Sequence, residues 1–96
     1  MFKAPRGTQD ILPVEQKYWQ YVYAAAHKIS AEFHYQFIET PIFETTSLFQ
    51  RGVGDHTDIV QKEMYTFEDH GGDQLTLRPE GTASICRAYL ENGMKN

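Results

Sequence analysis

Apolar residues recur at helical spacing in two stretches of the chain. The first set follows the i, i+3, i+4, i+7 pattern of one buried helix face and consists of Trp19, Val22, Tyr23, Ala26, Ile29 and Phe33. Because Pro13 suits a first helical turn, this set predicts a helix over about residues 14–34. The second set is Thr82, Ile85, Cys86, Tyr89 and Leu90. It predicts a last helix with Pro79 in its first turn and Gly93 as its C-terminal stop.

The segment between these helices predicts strands and turns. Aromatic and β-branched residues over 35–44 favour a strand, in which Pro41 fits an edge or a break because it lacks a backbone donor. A short helix is expected around Ser47–Arg51. Gly52 and Gly54 are then expected to end that helix and to open a polar loop over 52–61.

Residues 62–78 alternate between apolar and polar and predict a β-hairpin that turns near Gly71–Gly72. A two-residue loop would pair Phe67 with Thr76 and split the apolar side chains between the two faces. A three-residue loop pairs Phe67 with Leu75 and keeps the apolar side chains on one face. The sequence therefore favours the three-residue loop, with a glycine in the left-handed conformation.

Composition sets limits on the class of protein. The chain has 96 residues, of which 41 % are hydrophobic and 23 % charged, as expected for one small domain or part of a larger one. The net charge of -4 gives no support for nucleic-acid binding. The single cysteine excludes an internal disulfide, and the four scattered histidines have no metal-ligand spacing, so no metal site is expected. No signal peptide or membrane span is expected, which fits a cytoplasmic protein.

The segment Arg78–Thr82 is the strongest candidate for chemistry. Glu80 lies where a strand is expected to end and a helix to begin, beside Gly81 and Thr82. A carboxylate and a hydroxyl at such a corner could hold an ammonium group together, and Gly81 would let a ligand approach the backbone. Helix capping by Glu80 and Thr82 is the alternative, and on residue type alone it is the commoner role.

Four segments of the chain closely resemble the start of bacterial histidyl-tRNA synthetases. The segments are Arg6–Pro13, Glu39–Glu44, Thr57–Phe67 and Leu75–Ala83, and their order and spacing match as well. The resemblance covers nearly the whole chain. It implies an α+β fold, the N-terminal part (residues 1–96) of a class II aminoacyl-tRNA synthetase catalytic domain, in which helices flank an antiparallel sheet.

The resemblance also implies roles for particular residues. The first signature motif of the class would lie near 14–44 as a long helix, a strand near 36–40 and Pro41, and would form much of a homodimer interface. The segment near 78–83 looks like the histidine-binding segment of the family. Glu80 would then take the α-amino group of histidine, with Gly81 and Thr82 beside it. A carboxylate can bind the ligand and also cap a helix.

The family's enzymes activate histidine with ATP and Mg²⁺ and transfer it to the 3′ end of tRNA(His). Its second and third signature motifs, whose arginines bind ATP, are not found in this sequence, so the chain is expected to hold no catalytic residue and to be inactive alone. One alternative is a synthetase-like regulatory subunit of ATP phosphoribosyltransferase, which shares the fold. Another is that the chain is only a folding or dimerisation module.

Overall fold

The computed structural model describes residues 1–53 and 62–95 and divides the chain into two compact units, Met1–Phe37 and Ile38–Asn96. The elements are α1 (Pro13–Glu32), β1 (Phe43–Thr45), α2 (Thr46–Val53), β2 (Thr66–Glu68), β3 (Gln74–Leu77) and α3 (Thr82–Glu91). The predicted α+β class and the order of helix, strand, hairpin and last helix are confirmed. The polar loop expected over 52–61 lies, from residue 54 onward, outside the described residues.

Local backbone chemistry explains where α1 begins and ends. At its start the backbone N–H of Leu12 donates to Glu15 Oε2 at 3.1 Å, which is one half of a capping box. The other half requires a side-chain acceptor at the N-cap, which leucine lacks. At its end His34 adopts a left-handed φ of 65°, and the N–H of Tyr35 donates to the Ser30 carbonyl at 2.9 Å. This C-terminal turn ends the helix two residues earlier than the sequence predicts.

The apolar face predicted for α1 is present but exposed. None of the helix residues is buried, and the exposed set includes Trp19, Val22, Tyr23, Ile29 and Phe33. The prediction of a buried face is therefore wrong for this chain. The physical reason is that the unit Met1–Phe37, as the structure describes it, contains no second helix or strand that could cover the face.

The strand expected near 36–40 is also absent from the described residues, since the chain there has no regular secondary structure. The first strand is β1, which begins two residues after Pro41. It lies where β3 offers a partner, with Phe43 opposite Leu77. A strand requires a neighbouring backbone to accept and donate hydrogen bonds, and aromatic content alone does not supply one.

The three strands form an antiparallel sheet in the order β1-β3-β2. In the hairpin Phe67 lies opposite Leu75, and the N–H of Asp69 donates to the Asp73 carbonyl at 2.9 Å. These contacts close a loop of three residues, in which Gly72 has a φ of 90°. The predicted register and the left-handed glycine are confirmed.

The two faces of the sheet differ in chemistry. One face presents Glu44, Thr66 and Thr76, and the fully buried hydroxyl of Thr76 bonds to those of Thr66 and Thr46 at 2.9 and 2.8 Å. Because Thr46 begins α2, this polar face is the one that α2 covers. The other face carries Phe43 and Phe67, whose ring centroids lie 6.0 Å apart, and it stays largely exposed.

Helix α2 confirms the short helix expected around Ser47–Arg51, and it runs through Gly52 to Val53. Gly54, the other residue expected to end it, lies outside the described residues. The helix supplies Phe49, which at 1 % exposure is the largest buried side chain among the described residues. Helix α3 contacts α2 and adds the buried Ala88. The apolar core of the unit Ile38–Asn96 is therefore small.

Helix α3 differs from its prediction in two ways. It begins at Thr82, so Pro79 lies before its first turn. It buries Ser84 and Ala88, whereas Ile85, Tyr89 and Leu90 of the predicted face are exposed. Small side chains allow close approach of the helix to its neighbours, which explains why this face packs inward.

The C-terminal stop of α3 is confirmed. Gly93 has a φ of 62°, its N–H donates to the Leu90 carbonyl, and the N–H of Met94 donates to the Tyr89 carbonyl. These two bonds form a Schellman motif, in which glycine is favoured at the left-handed position. In the described part of the chain, no helix has the length and apolar character to cross a membrane.

Candidate functional site

The segment Arg78–Gly81 connects the end of β3 to the start of α3. The N–H of Arg78 donates to the Ile42 carbonyl at 2.9 Å, and its Nη1 donates to the Thr40 carbonyl at 3.1 Å. Both acceptors lie in the segment that leads into β1. The strand-to-helix corner is thus held against the first strand by backbone and side-chain bonds of one residue.

Glu80 caps α3 with both oxygens of its carboxylate. Oε2 accepts a hydrogen bond from the N–H of Thr82 at 2.6 Å, and Oε1 accepts one from the N–H of Ala83 at 3.1 Å. The first amides of a helix lack intrahelical partners, so these bonds satisfy two of them. The capping role considered for Glu80 is therefore present in the structure.

Capping also fixes the charge of Glu80. The backbone N–H of Ala83, with a smaller contribution from the Thr82 amide and hydroxyl, lowers the pKa of Glu80 from its ordinary 4.5, and partial burial opposes this effect. The carboxylate is therefore ionised at neutral pH. Each carboxylate oxygen has a further lone pair, so the group can still accept a hydrogen bond from an ammonium ion.

Gly81 and Thr82 lie beside this carboxylate and are exposed. A Cβ added to Gly81 would meet no atom within 4 Å, so the space next to its backbone is open. The structure thus brings the three predicted residues together in one accessible turn. A fixed anion, an open backbone and a hydroxyl are the groups that the proposed contact with an amino acid requires.

The cap predicts a specific pH dependence for the stability of the unit that contains it. Because the folded pKa of Glu80 is lowered, its stabilising contribution is present above the ordinary value of 4.5 and is lost as the pH falls through the folded pKa. We expect Glu80→Gln to reduce the free energy of unfolding near neutral pH and to change it little at a pH below the folded pKa of Glu80. Urea unfolding of both chains across acidic pH measures the difference, and a constant gap at all pH values would contradict this expectation.

A second charged group lies close to the corner. Glu44 on β1 is 7 % exposed, and both its oxygens accept from Arg87 of α3, Oε2 from Nε at 2.7 Å and Oε1 from Nη2 at 3.0 Å. Arg87 also donates to Glu91 one turn further along α3. These bonds, that to Glu44 above all, raise the pKa of Arg87.

Sequence reasoning did not identify the Glu44–Arg87 pair. The two residues are 43 positions apart, and no local pattern joins them. The alternation along β1 could have suggested a carboxylate on a covered face, which would need a partner. Elsewhere in residues 1–53 and 62–95, no three His, Cys, Asp or Glu side chains converge as metal ligands.

Comparisons with known proteins converge on one family. The family profile described as Histidyl-tRNA synthetase matches residues 7–94. The histidine–tRNA ligase of Dehalococcoides mccartyi is 63 % identical over 95 residues, which cover 99 % of this chain and 23 % of that relative. The histidine–tRNA ligase of Oceanobacillus iheyensis is 64 % identical over 90 residues, which cover 94 % of this chain and 21 % of that relative.

Solved structures give the same result. The apo histidyl-tRNA synthetase of S. aureus matches all of this chain and 22 % of its own, with a TM-score of 0.83 and 46 % identity. A Bacillus halodurans C protein described as an ATP phosphoribosyltransferase regulatory subunit/histidyl-tRNA synthetase matches with a TM-score of 0.77 and 28 % identity, over 100 % of this chain and 24 % of its own. The chain thus spans less than a quarter of the length of these relatives.

Proposed function

Since the chain belongs to the histidyl-tRNA synthetase family, we propose that it is part of a histidine–tRNA ligase and supplies part of the histidine pocket of that enzyme. The observation that supports this role is the carboxylate of Glu80, which two backbone amides hold in place at the start of α3. The proposed ligand of Glu80 is the α-amino group of histidine. Gly81 lets the substrate approach the backbone, and the hydroxyl of Thr82 is a second polar contact.

The proposed reaction has two steps. A carboxylate oxygen of histidine attacks the α-phosphorus of ATP, the bond from that phosphorus to the α–β bridging oxygen breaks, and pyrophosphate leaves. A hydroxyl at the 3′ end of tRNA(His) then attacks the carbonyl carbon, loses its proton and displaces AMP. Glu80 contributes by orientation, because an amine held at a fixed point directs the substrate's carboxylate to the phosphate.

ATP and Mg²⁺ are part of this proposal as substrate and ion of the whole enzyme. Stabilisation of the charge that develops on the phosphates requires cationic groups placed around them. Within residues 1–53 and 62–95 no metal-ligand cluster is found, and no residue of this chain is assigned to ATP or Mg²⁺. The chain is therefore proposed to position the amino acid and to leave phosphate chemistry to other parts of the enzyme.

Activity assays test the proposal directly. A full-length ligase that contains this sequence is expected to catalyse ATP–pyrophosphate exchange only when histidine is present. The isolated 96-residue chain is expected to give no exchange above background, because it lacks phosphate-binding arginines. Exchange by a pure preparation of the isolated chain would be incompatible with this division of labour.

The regulatory subunit of ATP phosphoribosyltransferase remains the second candidate. It is favoured by the match to the Bacillus halodurans protein, whose description includes that role. That match is 28 % identical, against 46 % for the S. aureus synthetase, so the ligase has the stronger support. A full-length protein that lacked histidine-dependent exchange and stimulated ATP phosphoribosyltransferase would favour the regulatory role.

A homodimer in the cytoplasm is the proposed state of the enzyme. The exposed apolar stripe of α1, which includes Trp19 and Val22, supports the dimer because such a surface gains by being covered. Pro41 is proposed to belong to the same interface.

We expect the isolated chain to self-associate through the stripe on α1. Val22→Glu should weaken the association, because it places a charge among the apolar side chains. Gln20→Glu is the matched control, since it adds the same charge outside the stripe. Sedimentation velocity over a range of concentrations measures the effect. A chain that stays monomeric at high concentration would count against this interface.

A further inference from the structure

The Glu44–Arg87 pair joins α3 to the sheet. The guanidinium binds both oxygens of a carboxylate that is 7 % exposed, with contacts of 2.7 and 3.0 Å. Glu44 is the middle residue of β1 and lies opposite Thr76 of β3. The pair therefore fixes one side of α3 relative to β1.

The position of Glu80 follows the position of α3. Both oxygens of its carboxylate are bonded to amides of the first turn of that helix, those of Thr82 and Ala83. A shift or rotation of the helix would move the carboxylate with it. The position of the anion relative to a bound substrate thus depends on how α3 is held.

The bonds of Arg78 to the Ile42 and Thr40 carbonyls hold the corner before α3, but the packed face of the helix itself offers few further constraints. The buried residues of α3 are Ser84 and Ala88, and the Ser84 Oγ has no hydrogen-bond partner among the described residues. Small side chains permit sliding and rotation more easily than large interlocking ones. A bidentate guanidinium–carboxylate contact has a narrow geometry, so it restricts both motions.

An ion pair in this position is a poor source of stability, because burial of Glu44 has a desolvation cost and water screens Arg87, whose side chain is 30 % exposed. Apolar side chains of similar volume would hold the helix at least as firmly. The presence of the pair is better explained by the geometry that it imposes.

We propose that the Glu44–Arg87 pair positions α3 so that the Glu80 carboxylate meets the α-amino group of the amino-acid substrate. The proposal rests on the function proposed above and adds Glu44 and Arg87 as positioning residues. Neither residue is assigned a contact with the substrate. They act through Glu80, which makes their effect specific for the amino acid and not for ATP.

The test uses a full-length ligase that contains this sequence. Glu44→Gln keeps the shape of the side chain but removes the charge that Arg87 binds. We expect kcat/KM for histidine to fall by about 10- to 100-fold, mainly through KM for histidine, because displacement of a binding group by about 1 Å can have an effect of this size. KM for ATP should change by less than about 2-fold, since the proposed contact involves only the amine.

Glu91→Gln is the matched control. Glu91 binds the same guanidinium, but it lies on α3 itself at the exposed i+4 position. Loss of that contact leaves the link between the helix and the sheet intact. We expect kcat/KM for histidine to change by less than about 2-fold, in line with the small contribution of exposed pairs. A large effect of Glu91→Gln would overturn the assignment of the effect to the helix–sheet link.

A double-mutant cycle with Glu80→Ala shows whether the pair acts through Glu80. Once Glu80 is removed, Glu44→Gln should have little further effect on KM for histidine, so the two changes are not additive. Equal effects of Glu44→Gln with and without Glu80 would overturn the proposal. If Glu80→Ala alone left histidine kinetics unchanged, the assignment of Glu80 would fail as well, which separates the two failures.

A second variant keeps the proposal testable if Glu44→Gln does not fold. Glu44→Gln removes the buried charge partner of Arg87 and leaves only its exposed contact with Glu91, which can destabilise the protein. The combined change Glu44→Gln and Arg87→Met removes both charges of the helix–sheet pair. We expect it to fold and to show the same rise in KM for histidine. A folded double variant with normal KM for histidine would overturn the proposal.

Discussion

Replacing Glu80 with alanine in a full-length ligase that contains this sequence is expected to lower kcat/KM for histidine by roughly 30-fold to several-thousand-fold. The estimate follows from a cost of about 2–5 kcal/mol for removing one partner of a hydrogen-bonded charge pair in a desolvated site. KM for ATP should change much less. Steady-state exchange kinetics with histidine and ATP varied in turn measure both effects.

The structure adds a second effect of the same substitution. Because Glu80 accepts from the amides of Thr82 and Ala83, Glu80→Ala also removes a helix cap. Loss of a cap typically costs about 0.5–2 kcal/mol of stability. Glu80→Gln is the useful control. Its amide oxygen can still accept from one of these amides, but the side chain has no negative charge to attract the α-amino group of histidine. It should lose most of the affinity for histidine, with a smaller loss of stability than Glu80→Ala.

Outcomes for these two variants separate capping from substrate binding. If both variants lose histidine affinity while differing in stability, the carboxylate binds the substrate in addition to capping the helix. If Glu80→Ala is less stable but has unchanged histidine kinetics when folded, capping is its only role. The second outcome would remove the substrate assignment from Glu80.

Phe49→Ala is expected to have the largest effect on stability. Phe49 is 1 % exposed, and Ala88 is the other buried apolar residue in the described part of the chain. Substitution of a buried phenylalanine by alanine typically costs about 3–5 kcal/mol, through lost burial and the cavity that remains. A core of this size gives only a small free energy of unfolding, so the cooperative unfolding transition of the isolated chain should be lost.

Phe43→Ala is the matched control for this experiment. The same chemical change is made on the open face of the sheet, where Phe43 is 41 % exposed. Its cost should be about 1–2 kcal/mol, because less area is removed from water in the folded chain. Urea unfolding followed by circular dichroism compares the two. Equal destabilisation by both substitutions would show that Phe49 does not form the core.

Elements defined by local chemistry were predictable from the sequence. The hairpin register followed from the parity of its apolar residues, and the pairing of Phe67 with Leu75 was recovered. The stop at Gly93 followed from the need for a left-handed residue after a helix. The candidate site was found for the same reason, since Glu80, Gly81 and Thr82 are consecutive.

Features that depend on distant partners were not predictable. A strand was expected near 36–40, but the strand lies further along the chain, at β1, because β3 provides its hydrogen-bond partner there. The apolar faces of α1 and α3 satisfy the helical pattern, yet both are exposed in this chain. Periodicity shows that a face can be buried, but the covering element determines whether it is. The Glu44–Arg87 pair was missed because it depends on how β1 and α3 meet.

Binding of histidine and of an analogue without the α-amino group, 3-(imidazol-4-yl)propionate, is the most direct test of the central claim that Glu80 holds this amine. Calorimetric titrations would compare a full-length ligase that contains this sequence with its Glu80→Ala variant. The account predicts that the substitution weakens histidine binding strongly and leaves analogue binding nearly unchanged, because the analogue has no amine for Glu80 to hold. Equal weakening of both ligands, or no weakening of either, would contradict it.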